Sequence, residues 1–310
     1  MIAVDWGTSS FRAYRLTPDG AALDRRDAPR GIMQVEGGGF AEVLRDAVGP
    51  WLAEGEDRVL LGGMIGSRQG WVEAPYVPCP AGLDELAAGL VPVPFEGAAV
   101  RLVPGLRHGD EHGVPEVMRG EEVQIMGALP DIGADGLVCL PGTHSKWARV
   151  RAGRVEGFAT YMTGETYAAL RGHTILGRMM RDGPTDPAAF LRGVERAGQP
   201  GGLLHHLFGV RTLGLFGALA ESEAAGYLSG LLIGHELRAA LPTAGPGTGK
   251  RPEGQLEGRS GAVEVRLIGA PALCALYQRA IEACGGRAVT TDPDAAARGL
   301  HLIGSRAAWN

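Results

Sequence analysis

The sequence predicts an α/β protein built from two similar domains, and two observations support this prediction. Short apolar strands alternate with helical patterns, and some of the strands end in glycine, as at Gly62-Gly63 and Gly269. The motif Gly-Thr-x-Ser occurs at Gly7 and again at Gly142, 135 positions later, each time after one apolar strand and before another. Because the copies occupy equivalent places, we expect two related domains, each opening with a hairpin whose turn faces a common cleft.

Composition excludes several classes of protein. The chain has 310 residues, of which 45% are apolar, which is enough for two cores and is not typical of a disordered or fibrous protein. Thirty basic and 35 acidic residues give a formal charge of −5 without long runs of one sign, so we expect no nucleic-acid or membrane partner. The four cysteines form no C-x-x-C pair, and no long apolar run or basic leader is present. We therefore expect free thiols and a cytoplasmic protein.

The first half of the chain opens with strands. The pattern predicts strands over 2–5 and 10–16 around a turn at 6–9, and a strand over 59–61 that runs into a glycine turn at 62–67. Helical spacing of apolar residues predicts helices over 40–53, 83–89 and 116–129. A helix that leads into a buried strand ending in glycine is typical of an α/β layer with a ligand at the carboxyl end of the strand.

The second half repeats this arrangement. We expect strands over 137–140, 146–150 and 265–268, and helices over 163–181, 187–197, 212–240 and 271–284. The stretch 242–261 is rich in glycine and proline and predicts a surface loop or mobile insertion. We place the domain boundary between 1–133 and 134–310.

The paired Gly-Thr-x-Ser turns predict a phosphate site. Such a turn offers backbone N–H groups and hydroxyls to phosphate, and two of them facing each other would hold both sides of a polyphosphate such as ATP. Asp5 precedes the first turn and is a candidate ligand for hydrated Mg²⁺, whereas Leu140-Pro141 precedes the second. A single turn of this kind is also an ordinary hairpin turn, so the prediction depends on the repeat.

Other candidate sites have weaker patterns. Gly245–Arg251 resembles a Walker loop superficially, but Ala244 and Arg251 stand where a glycine and a Ser/Thr are needed. His108 and His112 are four residues apart without the H-E-x-x-H order, and His205-His206 has no third ligand nearby in sequence. A metal hydrolase therefore remains only as an alternative.

Two adjacent acids lie near the second turn in sequence. Gly120-Glu121-Glu122 opens the predicted helix over 116–129, and phosphoryl transfer to a sugar hydroxyl needs a carboxylate that orients the hydroxyl and accepts its proton. Either Glu121 or Glu122 is suited to that role. The alternative for each is a solvated acid in a first helical turn, where acids favour the helix dipole.

Longer motifs around these residues resemble a known family. The sequence over 5–12, 63–71, 118–122, 140–147, 161–165 and 227–235 resembles the 2-dehydro-3-deoxygalactonokinase family, and the resemblance covers nearly the whole chain. It implies an actin-like fold of two related ribonuclease-H-like domains with a nucleotide cleft between them. It also implies ATP-dependent phosphorylation of 2-dehydro-3-deoxy-D-galactonate at the 6-hydroxyl, in galactonate catabolism.

The resemblance implies roles for individual residues. It assigns Asp5 to catalysis as the Mg²⁺ ligand, and it assigns the following residues to ATP: Gly7, Thr8, Ser9, Gly142, Thr143, His144 and Ser145 for the phosphates, and Gly269, Ala270 and Pro271 for the adenosine. Related carbohydrate kinases carry Gly-Asp-Gln where this chain has Gly120-Glu121-Glu122, so Glu121 is the expected base. For the sugar acid we expect Arg12, Ser67, Arg68 and Lys146.

Lys146 is one of only two lysines in the chain, the other being Lys250. A lysine at this place in the second phosphate motif is suited to neutralising phosphate or binding the carboxylate of the sugar acid. Two alternatives stay open at this point: a kinase acting on another sugar acid, and an actin-like protein that uses nucleotide as a binding or regulatory switch. The oligomeric state, including a homodimer, is also open.

Overall fold

A computed structural model of the chain describes residues 1–110, 112–241, 263–292 and 294–309. The predicted loop over 242–261, with the Walker-like stretch and Lys250, lies outside the described residues. The chain divides into two compact units, one of Met1–Val138, Ala148–Ala159 and Thr291–Asn310, the other of Cys139–Trp147 and Thr160–Thr290. The predicted boundary at 133/134 and the predicted nucleotide cleft stay predictions.

The strands of the described residues are, in chain order, β1 (Ile2–Trp6), β2 (Phe11–Leu16), β3 (Ala22–Ala28), β4 (Arg58–Gly62), β5 (Tyr76–Pro78), β6 (Val91–Val93), β7 (Ala99–Leu102), β8 (Gly105–Gly109), β9 (Pro115–Met118), β10 (Gly136–Leu140), β11 (Ser145–Arg151), β12 (Arg154–Tyr161), β13 (Glu264–Leu267) and β14 (Arg287–Thr290). The helices are α1 (Phe40–Ala53), α2 (Leu83–Ala88), α3 (Glu121–Ile132), α4 (Thr163–His173), α5 (Pro187–Arg196), α6 (Gly202–Leu215), α7 (Glu221–Ala240), α8 (Pro271–Ala283) and α9 (Ala295–Gly304).

Two sheets share one strand order. The first runs β3-β2-β1-β4-β7-β6 and the second β12-β11-β10-β13-β14, so in each the first strand lies between the second and the fourth of its series. In the first sheet β1 pairs antiparallel with β2 and parallel with β4. The common order confirms the predicted relation between the two halves of the sequence. A third sheet, β5-β8-β9, lies in the first unit.

The core of the first unit is built around β1. Each residue of β1 except Asp5 is buried, as expected for a strand covered on both faces. Trp6 packs edge-on against Phe11, with ring centroids 4.8 Å apart, and against Phe40 of α1, at 5.8 Å. Asp5, the one acid of β1, therefore lies between two buried apolar residues, Val4 and Trp6.

Three predicted helices differ from those in the structure. The prediction over 116–129 is wrong at its start, because residues 115–118 form β9 and Gly120 adopts a φ of 103° immediately before α3. The prediction over 212–240 is wrong in its continuity, because Gly217 has a φ of 71° and separates α6 from α7. The helix predicted over 163–181 ends at His173 as α4, followed by a short 3-10 turn at Gly177–Met179.

The remaining predicted elements agree with the structure to within a few residues. The elements that had no prediction are β3, β5, β6, β7, β8, β12, β14 and α9. Among the described residues no helix combines the length and the apolar character that crossing a membrane would need.

Candidate active site

The first Gly-Thr-x-Ser motif forms a tight turn between β1 and β2. The Gly7 N–H donates to the Ser10 carbonyl at 2.8 Å, and Thr8 and Ser9 are exposed. The turn is supported from behind, because the Ile32 N–H donates to the Gly7 carbonyl at 3.0 Å and the Met33 N–H to the Thr8 carbonyl at 3.2 Å. The backbone of the turn is fixed and its hydroxyls are free to face a ligand.

Asp5 lies at the carboxyl end of β1, opposite Arg12 on β2 and Gly62 on β4. Its side chain is 19% exposed and forms an ion pair with Arg12 at 3.4 Å. Burial raises the pKa of Asp5, and the Arg12 guanidinium opposes that shift. The carboxylate is thus a partly buried acid that is paired with Arg12 and lies next to the exposed turn.

Two glycines bring the end of β4 and the start of α3 to Asp5. A Cβ on Gly63 would lie 2.8 Å from the Trp6 carbonyl oxygen and 3.4 Å from an Asp5 carboxylate oxygen, and Gly63 has a φ of 95°. A Cβ on Gly120 would lie 3.2 Å from the Gly63 Cα. Both positions combine positive φ with close backbone approach, which only glycine tolerates. The structure therefore brings together three motifs that are far apart in sequence.

The acids at the start of α3 differ in their surroundings. Glu121 accepts a hydrogen bond from the Arg119 N–H at 2.9 Å and keeps part of its surface exposed. Glu122 is fully buried, and both of its oxygens lie near the Gly120 N–H, at 2.9 and 2.7 Å. Burial, and then the charge of Glu121, raise the pKa of Glu122 to about 8. Burial therefore favours the neutral form of Glu122 within this pair.

The loop after Gly63 carries the predicted sugar-acid residues. Arg68 is highly exposed and pairs with Glu73 at 3.5 Å. Ser67 is partly exposed as a residue, but its hydroxyl oxygen is buried and has no hydrogen-bond partner. The loop is tied to the start of α3, because Arg119 Nη2 donates to the Ala74 carbonyl at 2.7 Å.

The second motif forms a turn whose last residue faces inward. Thr143 and His144 are exposed, whereas Ser145 is fully buried. The Ser145 Oγ lies 2.8 Å from the Tyr277 hydroxyl and accepts from the Gly142 N–H at 3.5 Å. Ser145 therefore supports the turn from below, and the exposed part of the motif is Gly142–His144.

The start of α4 lies directly beside the second turn. The Glu165 N–H donates to the Thr143 carbonyl at 3.0 Å, and His144 Nε2 contacts the Glu165 carboxylate. A Cβ on Gly164 would lie 2.5 Å from the Gly142 carbonyl oxygen, so the two backbones are in contact. His144 is thus held by Glu165 at the surface.

A buried acid supports the same turn. Glu236 of α7 accepts from Trp147 Nε1 at 2.7 Å and from the Tyr277 hydroxyl at 2.6 Å. Burial raises the pKa of Glu236, and hydrogen bonds from Thr163, Tyr277, Trp147 and Ser145 oppose that shift. A chain of contacts therefore links α7 through α8 to the phosphate-motif turn.

The expected adenosine turn follows β13. Gly269, Ala270 and Pro271 are exposed, and a Cβ on Gly269 would lie 3.4 Å from the Pro141 carbonyl oxygen. The two candidate nucleotide segments of the second unit are thus neighbours. Lys146, which comes next in the second motif, is buried, and its Nζ donates to Thr160 Oγ1 at 3.0 Å.

The metal-hydrolase alternative gains no support. In the described ranges no three His, Cys, Asp or Glu side chains come together as a metal site. His206 is fully buried and is 3.0 Å from His235 through Nδ1 and 3.0 Å from the Pro200 carbonyl through Nε2, which is a structural arrangement. His108 packs against Phe158.

Sequence reasoning missed Arg119, Tyr277 and Glu236. Arg119 lies inside the motif Met118–Glu122, but the motif alone does not indicate what its side chain contacts. Glu236 is an acid within the apolar pattern of α7, and a buried acid in such a pattern requires hydrogen-bond partners. That pattern was the available signal, whereas the partners themselves come from distant elements.

The donor groups suit a nucleotide and a magnesium ion. Exposed hydroxyls of Thr8, Ser9 and Thr143 and the N–H groups of fixed turns are suited to phosphate oxygens. Asp5 supplies one carboxylate beside the first turn, and Mg²⁺ commonly uses one or two carboxylates and keeps several waters. The residues therefore fit both groups.

Comparison with known proteins agrees with these features. A family model described as 2-keto-3-deoxy-galactonokinase matches residues 5–303. The Rhizobium meliloti (strain 1021) protein "Probable 2-dehydro-3-deoxygalactonokinase DgoK1" is 38% identical over 99% of this chain and 97% of its own length. The Escherichia coli (strain K12) protein "2-dehydro-3-deoxygalactonokinase" is 32% identical over 92% of this chain and 90% of its own length.

A solved structure extends the comparison to the fold. The crystal structure of a Sinorhizobium meliloti protein assigned as a 2-dehydro-3-deoxygalactonokinase has a TM-score of 0.85 to this chain and 37% identity. The alignment covers 98% of this chain and 97% of that one. The expected α/β fold of the actin-like sugar kinases is confirmed by the shared order of the two sheets and by these relatives. The chain belongs to the 2-keto-3-deoxy-galactonokinase family.

Proposed function

We propose that this chain transfers the γ-phosphoryl group of ATP to the 6-hydroxyl of 2-dehydro-3-deoxy-D-galactonate, giving the 6-phosphate and ADP. As a member of its family the chain is a carbohydrate kinase, and membership implies the use of ATP. The observation that supports the proposal best is the close approach of Gly63 to Asp5 and of Gly120 to Gly63, because it brings the start of α3 close to the end of β1.

Glu121 is the proposed base. It orients the 6-hydroxyl and accepts its proton, which is the part a carboxylate plays in phosphoryl transfer. Glu121 suits this better than Glu122 because it keeps exposed surface, whereas Glu122 is fully buried with both oxygens near the Gly120 N–H. Burial and the charge of Glu121 raise the pKa of Glu122 to about 8, which disfavours a second buried charge beside Glu121.

The two exposed turns are the proposed phosphate contacts. In the first unit the residues are Gly7, Thr8 and Ser9, and in the second they are Gly142, Thr143 and His144. Ser145 supports the second turn through its buried hydroxyl, which replaces the direct phosphate contact expected from the motif. Gly269, Ala270 and Pro271 are the proposed adenosine contacts.

Asp5 is the proposed ligand of Mg²⁺, through water or directly. When bound, the ion neutralises charge on the phosphate oxygens. Asp5 suits this role because its carboxylate is 19% exposed and lies beside the first turn, where only Arg12 is paired with it in the described residues, at 3.4 Å.

The sugar acid is proposed to contact Arg12, Ser67, Arg68 and Lys146. Arg12 and Arg68 are exposed enough to meet a ligand, with side chains 40% and 87% accessible. Lys146 is buried and donates to Thr160, so its ammonium group is held in one position near the second turn. We further propose a cytoplasmic location for the enzyme.

A coupled assay of ADP release tests the proposal. The purified chain, with Mg²⁺-ATP, is given 2-dehydro-3-deoxy-D-galactonate, its gluco epimer and other 2-oxo-3-deoxy acids. We expect turnover that requires the sugar acid and is fastest with the galacto epimer. Faster turnover of another acid would reassign the substrate, and nucleotide binding without stimulation by any acid would favour the regulatory alternative.

A further inference from the structure

Three buried polar atoms in the described residues have no hydrogen-bond partner, and they belong to two side chains. They are the Ser67 hydroxyl oxygen and the Nε and Nη1 atoms of Arg119. Buried polar groups in folded proteins are nearly always paired, and an unpaired one costs free energy. That these atoms cluster at the start of α3 and in the loop after Gly63, beside Glu121, points to a group that is bound there during function.

The Arg119 guanidinium is held firmly in one place. Its Nη2 donates to the Ala74 carbonyl at 2.7 Å, and its Cζ lies 4.4 Å from the centroid of the Tyr76 ring. A Cβ on Gly66, the residue before Ser67, would lie 2.9 Å from Nη1. The side chain as a whole is only 8% exposed. A fixed arginine with unused N–H groups is a preorganised anion binder, because little side-chain entropy remains to be lost.

We infer that Arg119 and Ser67 form the subsite for the carboxylate of the sugar acid. This inference rests on the proposed function, and it adds Arg119, which the sequence did not single out. A carboxylate accepts several charge-assisted hydrogen bonds and brings a full negative charge to the guanidinium, whereas a sugar hydroxyl brings no charge. Glu122 also lies near Arg119, but burial raises the pKa of Glu122 to about 8. Since the three atoms are shielded from solvent, entry of the carboxylate requires the Ser67 segment to shift.

The position of the subsite agrees with the chemistry of the substrate. The carboxylate and the 6-hydroxyl are at opposite ends of a six-carbon acid, and Arg119 and Glu121 are two residues apart at the start of α3. One helix start would thus bind one end of the substrate and activate the other. The γ-phosphate of ATP is also an anion, so the experiment must separate the two sources.

The test compares two acceptors that differ only at the first carbon. One is the sugar acid, and the other is its analogue with a hydroxymethyl group in place of the carboxylate. In the unsubstituted enzyme we expect kcat/KM to be far higher for the acid. Arg119→Met should raise the KM for the acid about 10- to 100-fold, the usual range for a hydrogen bond to a charged group. It should leave the KM for ATP and the rate with the analogue little changed.

Arg26→Met is the matched control. Arg26 is an arginine of the same unit that lies 4.6 Å from the Trp51 ring and donates to the Ala47 carbonyl, so its loss removes similar packing. Both variants are first compared by thermal unfolding. Ser67→Ala and Arg119→Lys keep the packing better and should each reduce the preference for the acid.

The outcomes separate the two proposals. If the unsubstituted enzyme phosphorylates neither compound, the proposed function fails. If it phosphorylates the acid but Arg119→Met lowers kcat/KM equally for the acid and the analogue, or raises the KM for ATP, the carboxylate subsite is wrong while the function stands. A loss confined to the acid, also seen in the folded lysine variant, supports the subsite.

Discussion

The hydroxyl of Tyr277 lies 2.6 Å from a carboxylate oxygen of Glu236 in the interior of the second unit. The same hydroxyl lies 2.8 Å from the Ser145 Oγ, at the base of the second phosphate-motif turn. A buried acid on α7 is therefore linked to the base of an exposed turn through Tyr277 and through a hydrogen bond from Ser145. Because these hydrogen bonds form one network, removal of one group should change the structure or stability of the turn.

Tyr277→Phe tests this link. The substitution removes one hydrogen-bond partner from buried Glu236, which keeps Trp147 Nε1, and one from Ser145, which keeps the Gly142 N–H. We therefore expect a loss of about 1–3 kcal/mol of stability and a severalfold higher KM for ATP. Tyr227→Phe, at another buried tyrosine of the same unit, is the control and should leave the KM for ATP unchanged. Unfolding curves and initial rates measure both. A lower stability with an unaltered KM would mean that the network supports the core alone.

Glu121→Gln should lower kcat by at least about tenfold, the lower end of what a positioned acid or base contributes. Nucleotide affinity should change little, because the substitution is nearly isosteric. Steady-state rates at saturating sugar acid measure the effect. Glu42→Gln, at an exposed acid in the first turn of α1, is the control. An unchanged kcat would move the role of base to Glu122 or elsewhere.

Asp5→Asn should raise the Mg²⁺ concentration needed for half-maximal rate, because an amide is a weaker ligand of this cation than a carboxylate. The measurement is a Mg²⁺ titration at fixed ATP. Asp46→Asn, at an exposed acid of α1, should show the ordinary titration. If Asp5→Asn gives that same curve, Asp5 has no part in the metal site.

The pH dependence of stability should reflect Glu122. Burial raises its pKa to about 8 in the folded chain, far above the ordinary value for a glutamate. Between the ordinary pKa of 4.5 and the raised pKa of about 8, the folded chain keeps a proton on Glu122 that the unfolded chain has lost. The stabilisation from Glu122 is therefore complete below about pH 4.5 and is lost as the pH rises through about 8.

Glu122→Gln removes that titration. The melting temperature of the unsubstituted chain should therefore fall relative to the variant as the pH goes from about 5 to about 9. Thermal unfolding in a pH series measures the difference. Parallel curves over this range would show that Glu122 is ionised in the folded chain.

The sequence was sufficient for features that repeat. Two copies of Gly-Thr-x-Ser predicted two related halves, and the shared strand order of the two sheets confirms that relation. Strands such as β1 and β4 were predictable because each is short, apolar and bounded by glycine. Helix ends were less predictable where a positive φ decides them, as at Gly120 and Gly217, since an apolar pattern continues across such a residue.

The candidate site was predictable in its motifs and not in its contacts. Asp5, Gly63 and Gly120 each stood in a motif, but their meeting depends on the pairing of β1 with β4 and on the approach of α3. The inward direction of Ser145 could not be predicted either, because it depends on Tyr277, 132 residues away. Contacts between residues that are distant in sequence are determined by tertiary packing, which a local sequence pattern does not reveal.

The last helix of the chain belongs to the first compact unit, and this affects how the protein is made. A Cβ on Gly62 would lie 3.1 Å from Leu300, and Gly299 of α9 lies against the backbone of Val123 in α3. During synthesis the first unit therefore cannot complete its packing until α9 has been made, long after β1 and β4. Deletion of α9 should therefore expose β4 and α3 and destabilise the first unit before the second.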